Sequence, residues 1–181
     1  MSAARRASRH RSREAALQIL YAVDLARHDD AHLEPAAQAM IESASEHFEL
    51  PEGARAFAKE LVLGVAARRD AIDAVLASHA RRWRVSRMAA VDRNILRLAA
   101  YELMQTDSPT AVVIDEAVEL AARFGGDRSP AFVNGILDAV ARTVRAGRGD
   151  EPADATASPE ERRTPGALDA GGDEAGEGET E

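Results

Sequence analysis

From residue 14 to residue 148 the apolar side chains recur at intervals of three and four, and β-branched residues do not alternate with polar ones over the length of a strand. The most constraining stretch is SRMAAVDRNILRLAAYELMQTDSP. There Val91, Ile95, Leu98 and Ala99 fall at i, i+4, i+7 and i+8, and Leu96 and Leu103 widen the apolar face past half the circumference. A helix that apolar must be wrapped by others. The chain is therefore expected to fold as an all-α domain of about seven helices in two packed helical bundles, with this helix at the centre. Abundant alanine and an aromatic content of only 4% agree with that class.

Punctuation places the other helices. Leu17, Leu20, Tyr21 and Leu25 give the first an apolar face, and His28-Asp29-Asp30 reads as the turn after it. Pro35 suits the opening of a second, shorter helix carrying Ala36, Met40, Ile41 and Ala44 and ending near Phe48. From Pro51 a long segment follows, with Phe57, Leu61, Val65, Arg68, Ile72, Val75, Leu76 and His79 at helical spacing. Gly64, in its middle, costs about 1 kcal/mol relative to Ala, which marks a close helix crossing. Arg81-Arg82-Trp83-Arg84 reads as a connector whose tryptophan either caps the core or stacks on a base, and a short helix is expected near Arg87. Asp107-Ser108-Pro109 ends the central helix. The next, with Val113, Ile114, Ala117, Val118 and Ala121 inward, runs to Gly125-Gly126, and Ser129-Pro130 opens the last, which ends at Arg148.

Charge divides the chain unevenly. The formal net charge is −8, yet residues 1–149 are nearly neutral and residues 150–181 hold eleven acids against two arginines. Residues 149–181, poor in large apolar side chains, are expected to be a disordered acidic tail. The opening residues invert the balance: MSAARRASRHRSR contains five arginines and no acid. Residues 1–8 are read as a flexible basic leader and 9–148 as the helical domain, with 9–80 forming an N-terminal bundle and 81–148 a C-terminal one. Arg5, Arg9 and Arg13 share one face of a helix, flanked by Arg6 and His10. Such a row suits phosphates, although basic ends are also often simply solvated.

Several functions are disfavoured. Cysteine is absent, which removes disulfides, thiol nucleophiles and cysteine-bound zinc and suits a reducing cytoplasm. Gln18 and Asp24 interrupt the apolar run after the arginines, so no signal peptide or membrane span is expected. The five histidines are scattered, and neither a phosphate-cradling glycine loop nor a nucleophile elbow occurs. Asp115, Glu116 and Glu119 read as a solvated face rather than a metal site, and Met88 and Met104 as core filling. No catalytic residue, metal or cofactor is expected.

Four blocks, RHRSREAALQILY at 9–21, AVDRNILRLAAYEL at 90–103, VVIDEAVELAARFG at 112–125 and SPAFVNGILDAVAR at 129–142, together resemble the NusB family of bacterial transcription antitermination factors. That resemblance implies a non-enzymatic protein that binds the boxA element of nascent ribosomal RNA jointly with ribosomal protein NusE, supports transcription of rRNA genes, and touches the RNA polymerase elongation complex indirectly. It also implies which residues face RNA: Arg9, His10, Arg11 and Arg13 at the start of the first helix, then Phe124, Arg128 and Phe132 around the turn before the last. Tyr21 and Asp92 are the implied NusE contacts. Each has a competing reading: Phe124, Phe132 and Tyr21 as core, Arg13 as the partner of an acid, Asp92 as a helix cap. Arg128 departs from the family pattern, which often has an acidic or neutral residue there. Two rival readings are an RNA-binding domain related to that of ribosomal RNA cytosine methyltransferases, which needs an α/β domain for which this sequence has no signal, and a helical adaptor that ignores RNA.

Overall fold

A computed structural model describes residues 3–26, 33–47, 52–80 and 84–148. Among them are seven α-helices and no strand: α1 (Ala3–Leu25), α2 (Leu33–His47), α3 (Glu52–Ala67), α4 (Arg69–His79), α5 (Ala90–Gln105), α6 (Thr110–Phe124) and α7 (Ser129–Arg148), with a 3-10 turn at Val85–Arg87. The His28-Asp29-Asp30 turn, Phe48, Pro51, Trp83 with its two preceding arginines, and the acidic tail lie outside the described residues.

As its wide apolar face implies, α5 is the hub. It packs against α1 and α3 on one side and α4, α6 and α7 on the other. Ile95, Leu96, Leu98, Ala99, Ala100 and Leu103 are all buried, and each large aliphatic side chain among them contributes about 1.5–3 kcal/mol by leaving water. Around this hub α1, α2 and α3 form one group, while α4, α6 and α7 form the other.

Two features differ from the sequence reading. The long segment after residue 51 is broken at Arg68, whose φ of −124° and ψ of 17° leave the helical region. The apolar spacing continues across that one-residue break, so periodicity alone does not reveal it. Its effect is large: α4, grouped with the N-terminal bundle in the sequence reading, packs mainly against α5 and α7. Residues 3–8, assigned there to the leader, form the first turns of α1.

Gly64 sits where α3 crosses α5. The space its side chain would fill holds the ring of buried Tyr101. Gly64→Ala is therefore expected to lower stability by about 1–3 kcal/mol, because an aromatic ring between two packed helices cannot yield cheaply. A urea melt checks this, and an unchanged midpoint would refute the crossing argument. Gly53→Ala, in open space on the same helix, serves as the tolerant control.

Candidate nucleic-acid interface

No Pro or Gly interrupts Ala3–Leu25, so the basic row is built into a continuous helix whose later turns are core. Arg6 and Arg11 are exposed and Arg9 is half-buried. The Arg9 guanidinium lies 4.2 Å from the centroid of the Phe57 ring on α3, a stacked cation–π contact.

Arg13 is the exception. It was expected to face RNA, but it is only 3% exposed. Its Nε and Nη2 donate to the two oxygens of Glu102 on α5, at 2.8 and 2.7 Å, and Nη1 lies 3.4 Å from Glu116 on α6. Burial opposes the charge of the Arg13 guanidinium, but hydrogen bonding and attraction from Glu102, then from Glu116, outweigh it and hold its pKa above the ordinary value. Arg13 thus joins three helices, and the competing reading, pairing with an acid, describes its place. The physical reason is geometric: in a 3.6-residue period Arg13 faces α5 and α6 beside the core residues Ala16 and Leu17, while Arg6 and Arg11 turn outward.

His10 is also held by acids. Its Nδ1 is 2.9 Å from Glu116 Oε2 and 3.6 Å from Glu119 Oε2, and its Nε2 is 3.3 Å from Glu14 Oε1. The ligand atoms of His10, Glu116 and Glu119 lie within 4.8 Å of one another, spacing that a divalent ion could use. The Arg13 guanidinium beside Glu116 opposes a cation there by charge, and histidine–carboxylate pairing already satisfies the group.

These contacts lead across the surface to the second half of the expected site. Glu14, which also faces His10, pairs with Arg123 of α6. The Arg123 guanidinium in turn lies 5.1 Å from the Phe124 ring centroid. The tight turn after Phe124 requires Gly125, since a Cβ there would come within 2.6 Å of the Ser129 side chain. Ser129 does not cap α7 in the expected way: its hydroxyl accepts from the Gly126 N–H at 2.9 Å, bracing the turn, and the helix opens on the Arg128 carbonyl, which accepts from Phe132 N–H at 3.1 Å. Arg128 is exposed, and Phe124 and Phe132 are half-buried against the core. A chain of contacts, His10 to Glu14 to Arg123 to Phe124, thus links the basic start of α1 to the aromatic turn before α7.

Tyr21 and Asp92 take no part in the contacts just described; Asp92 adjoins Arg93 of α5, which pairs with Asp24 of α1. Tyr21 is half-buried. Asp92 occupies the first turn of α5, where a carboxylate suits the helix dipole, but Ala89 holds the cap position and no side chain caps this helix. The Asp92 Oδ1 atom is buried without a hydrogen-bond partner among the described residues.

Sequence reasoning missed Glu102 and the Glu14–Arg123 bridge, read Phe57 only as an apolar helix position, and placed Glu116 on a solvated face although it is buried. Glu102 is 89 residues from Arg13, and no local pattern signals such a pairing.

The described residues define an all-helical fold. The NusB family model matches residues 10–142. The transcription antitermination protein NusB of Anaeromyxobacter dehalogenans is 45% identical over 79% of this chain and 96% of its own length, and that of Nitratiruptor sp. is 40% identical over 78% and 96%. Among solved structures, T. maritima NusB superposes with a TM-score of 0.63 at 34% identity, covering 74% of this chain and 90% of that one. A crystal structure of the antitermination factors NusB and NusE in complex with dsRNA gives 0.62 at 25% identity, covering 75% and 97%. The chain belongs to the NusB family, whose members are non-enzymatic transcription antitermination factors.

Proposed function

We propose that this protein binds the boxA element of nascent ribosomal RNA together with NusE and helps the elongating polymerase resist termination on rRNA genes, acting in the cytoplasm. The observation that carries the reading is the chain of contacts from His10 of α1, through Glu14 and Arg123, to Phe124, near the exposed Arg128. Similarity to a NusB that was crystallised with NusE and dsRNA supports it.

In this reading Arg9, Arg11 and Arg128 hold phosphates, and Phe124 and Phe132 offer ring surface to unstacked bases, each worth roughly 1–3 kcal/mol. His10 anchors the row to α6 at the edge of the RNA, and Arg13 acts from beneath by fixing the helix. Tyr21 and Asp92 face NusE, and a donor from that partner would satisfy the orphaned Asp92 oxygen.

The test is a titration of boxA RNA and a scrambled control, with and without NusE, at low and moderate salt. Arg9→Ala and Arg11→Ala are expected to weaken both RNAs and flatten the salt dependence, by about 0.7 of log-log slope for each phosphate lost. Phe124→Ala and Phe132→Ala are expected to erode the preference for boxA instead. Equal, salt-insensitive binding of both RNAs would reject the assignment and favour an adaptor that ignores RNA.

A further inference from the structure

A cleft of about 430 Å³ opens between the first turns of α1 and the α5–α6 turn, outside the aromatic face just described. That volume falls within the roughly 300–1,000 Å³ typical of small-molecule sites. Phe57 lines it, with the Arg9 guanidinium stacked on the ring. Arg9 thus borders the cleft, while its neighbour His10 leads to Glu14 and Phe124, so the two regions adjoin along α1.

The walls differ in chemistry. The α1 wall carries Arg5, Arg6 and Arg9, whereas the α5–α6 turn presents Asp107. That turn is fixed from within: Thr106 Oγ1 donates to the Glu102 carbonyl at 2.9 Å and accepts from the Ser108 N–H at 3.2 Å. Asp107 itself is exposed and has no hydrogen-bond or ion-pair partner among the described residues. Glu116 also borders the cleft but is shared by Arg13 and His10, and Glu60 adds a further acid.

A bare phosphate or an acidic peptide would meet repulsion from Asp107 and Glu60. An occupant with an anionic group on one side and N–H donors on the other satisfies both walls, and a nucleotide of single-stranded RNA has that form. Its phosphate would lie towards α1 and its base edge towards Asp107. A carboxylate accepts two parallel N–H bonds, and guanine is the base whose Watson–Crick edge offers two adjacent N–H donors. We propose that this cleft is a second base-reading subsite that takes a guanosine of the bound strand, with Asp107 as its specificity-determining residue. This rests on the RNA-binding reading above.

The experiment is a fluorescence titration of the full chain with uridine-only RNA oligonucleotides and with the same oligonucleotides carrying one guanosine. The expected result is about tenfold tighter binding of the guanosine-containing RNA, lost in Asp107→Asn, while affinity for the uridine-only RNA is retained. Arg6→Ala should weaken both RNAs alike. If the wild type binds RNA but shows no guanosine preference, or keeps that preference in Asp107→Asn, the subsite is wrong while the interface stands. If the wild type binds neither these RNAs nor boxA RNA, even with NusE present, both readings fall. Circular dichroism of the variants, each altered at an exposed position, verifies that loss of preference is not loss of fold.

Discussion

Arg13→Ala is expected to destabilise the protein by about 3–5 kcal/mol, a large part of the stability of a domain of this size, because it strands Glu102 in the core. The Glu102 residue is 1% exposed, and both its carboxylate oxygens accept from Arg13. Without the guanidinium, that carboxylate must ionise unpaired or be protonated against its usual preference, and Glu116 loses its contact with the Arg13 guanidinium too. Replacing both partners by apolar residues, as in Arg13→Met with Glu102→Leu, removes the stranded charge and should recover most of the loss. Urea unfolding of the single and double variants measures this coupling. A single variant within 1 kcal/mol of wild type would show that Arg13 is not the internal tie described above. Arg11→Ala, on the same helix but exposed, is expected to change stability by less than about 0.5 kcal/mol.

The contrast between Arg11 and Arg13 shows where sequence reading stops. The central helix was legible because its apolar residues exceed half a turn, a property of one segment that only burial on several sides can satisfy. The aromatic turn before α7 was legible because glycines and a serine–proline pair mark it. The arginine row was legible as a row, but not as two populations. Whether an arginine points to solvent or to an acid 89 residues away depends on how α1 is rotated against α5 and α6, and the charged residues themselves do not encode that. The same holds for the break at Arg68. One non-helical residue redirects α4 onto α7 without disturbing the apolar spacing on either side. Asp115 and Glu119 drew notice because they lie four apart, yet both are exposed. Glu116, between them, is buried and meets Arg13 and His10.

The second large effect is expected at the other end of α1, where Arg97→Met should cost about 3–5 kcal/mol at neutral pH and much less in acid. Arg97 donates through Nε and Nη2 to Asp73 of α4 at 2.8 and 2.7 Å, and through Nη1 to Asp24 of α1 at 3.2 Å. Asp24 also takes a hydrogen bond from Arg93. Burial alone would raise the Asp24 carboxyl, but Arg93, and after it Arg97, hold it below the usual carboxylate range. A carboxylate so depressed stabilises the fold above its unfolded pKa of about 3.9, and that contribution is lost as pH falls through the lower folded value. Arg97→Met leaves Asp24 with Arg93 and the neutral Asn94 amide, so the depression shrinks and the variant has less to lose on acidification. Stability curves of the two proteins should therefore run roughly parallel above about pH 5 and converge below it. Curves that stay parallel down to pH 2 would mean that Arg97 acts through packing of its stem and not through the charges that join α1, α4 and α5.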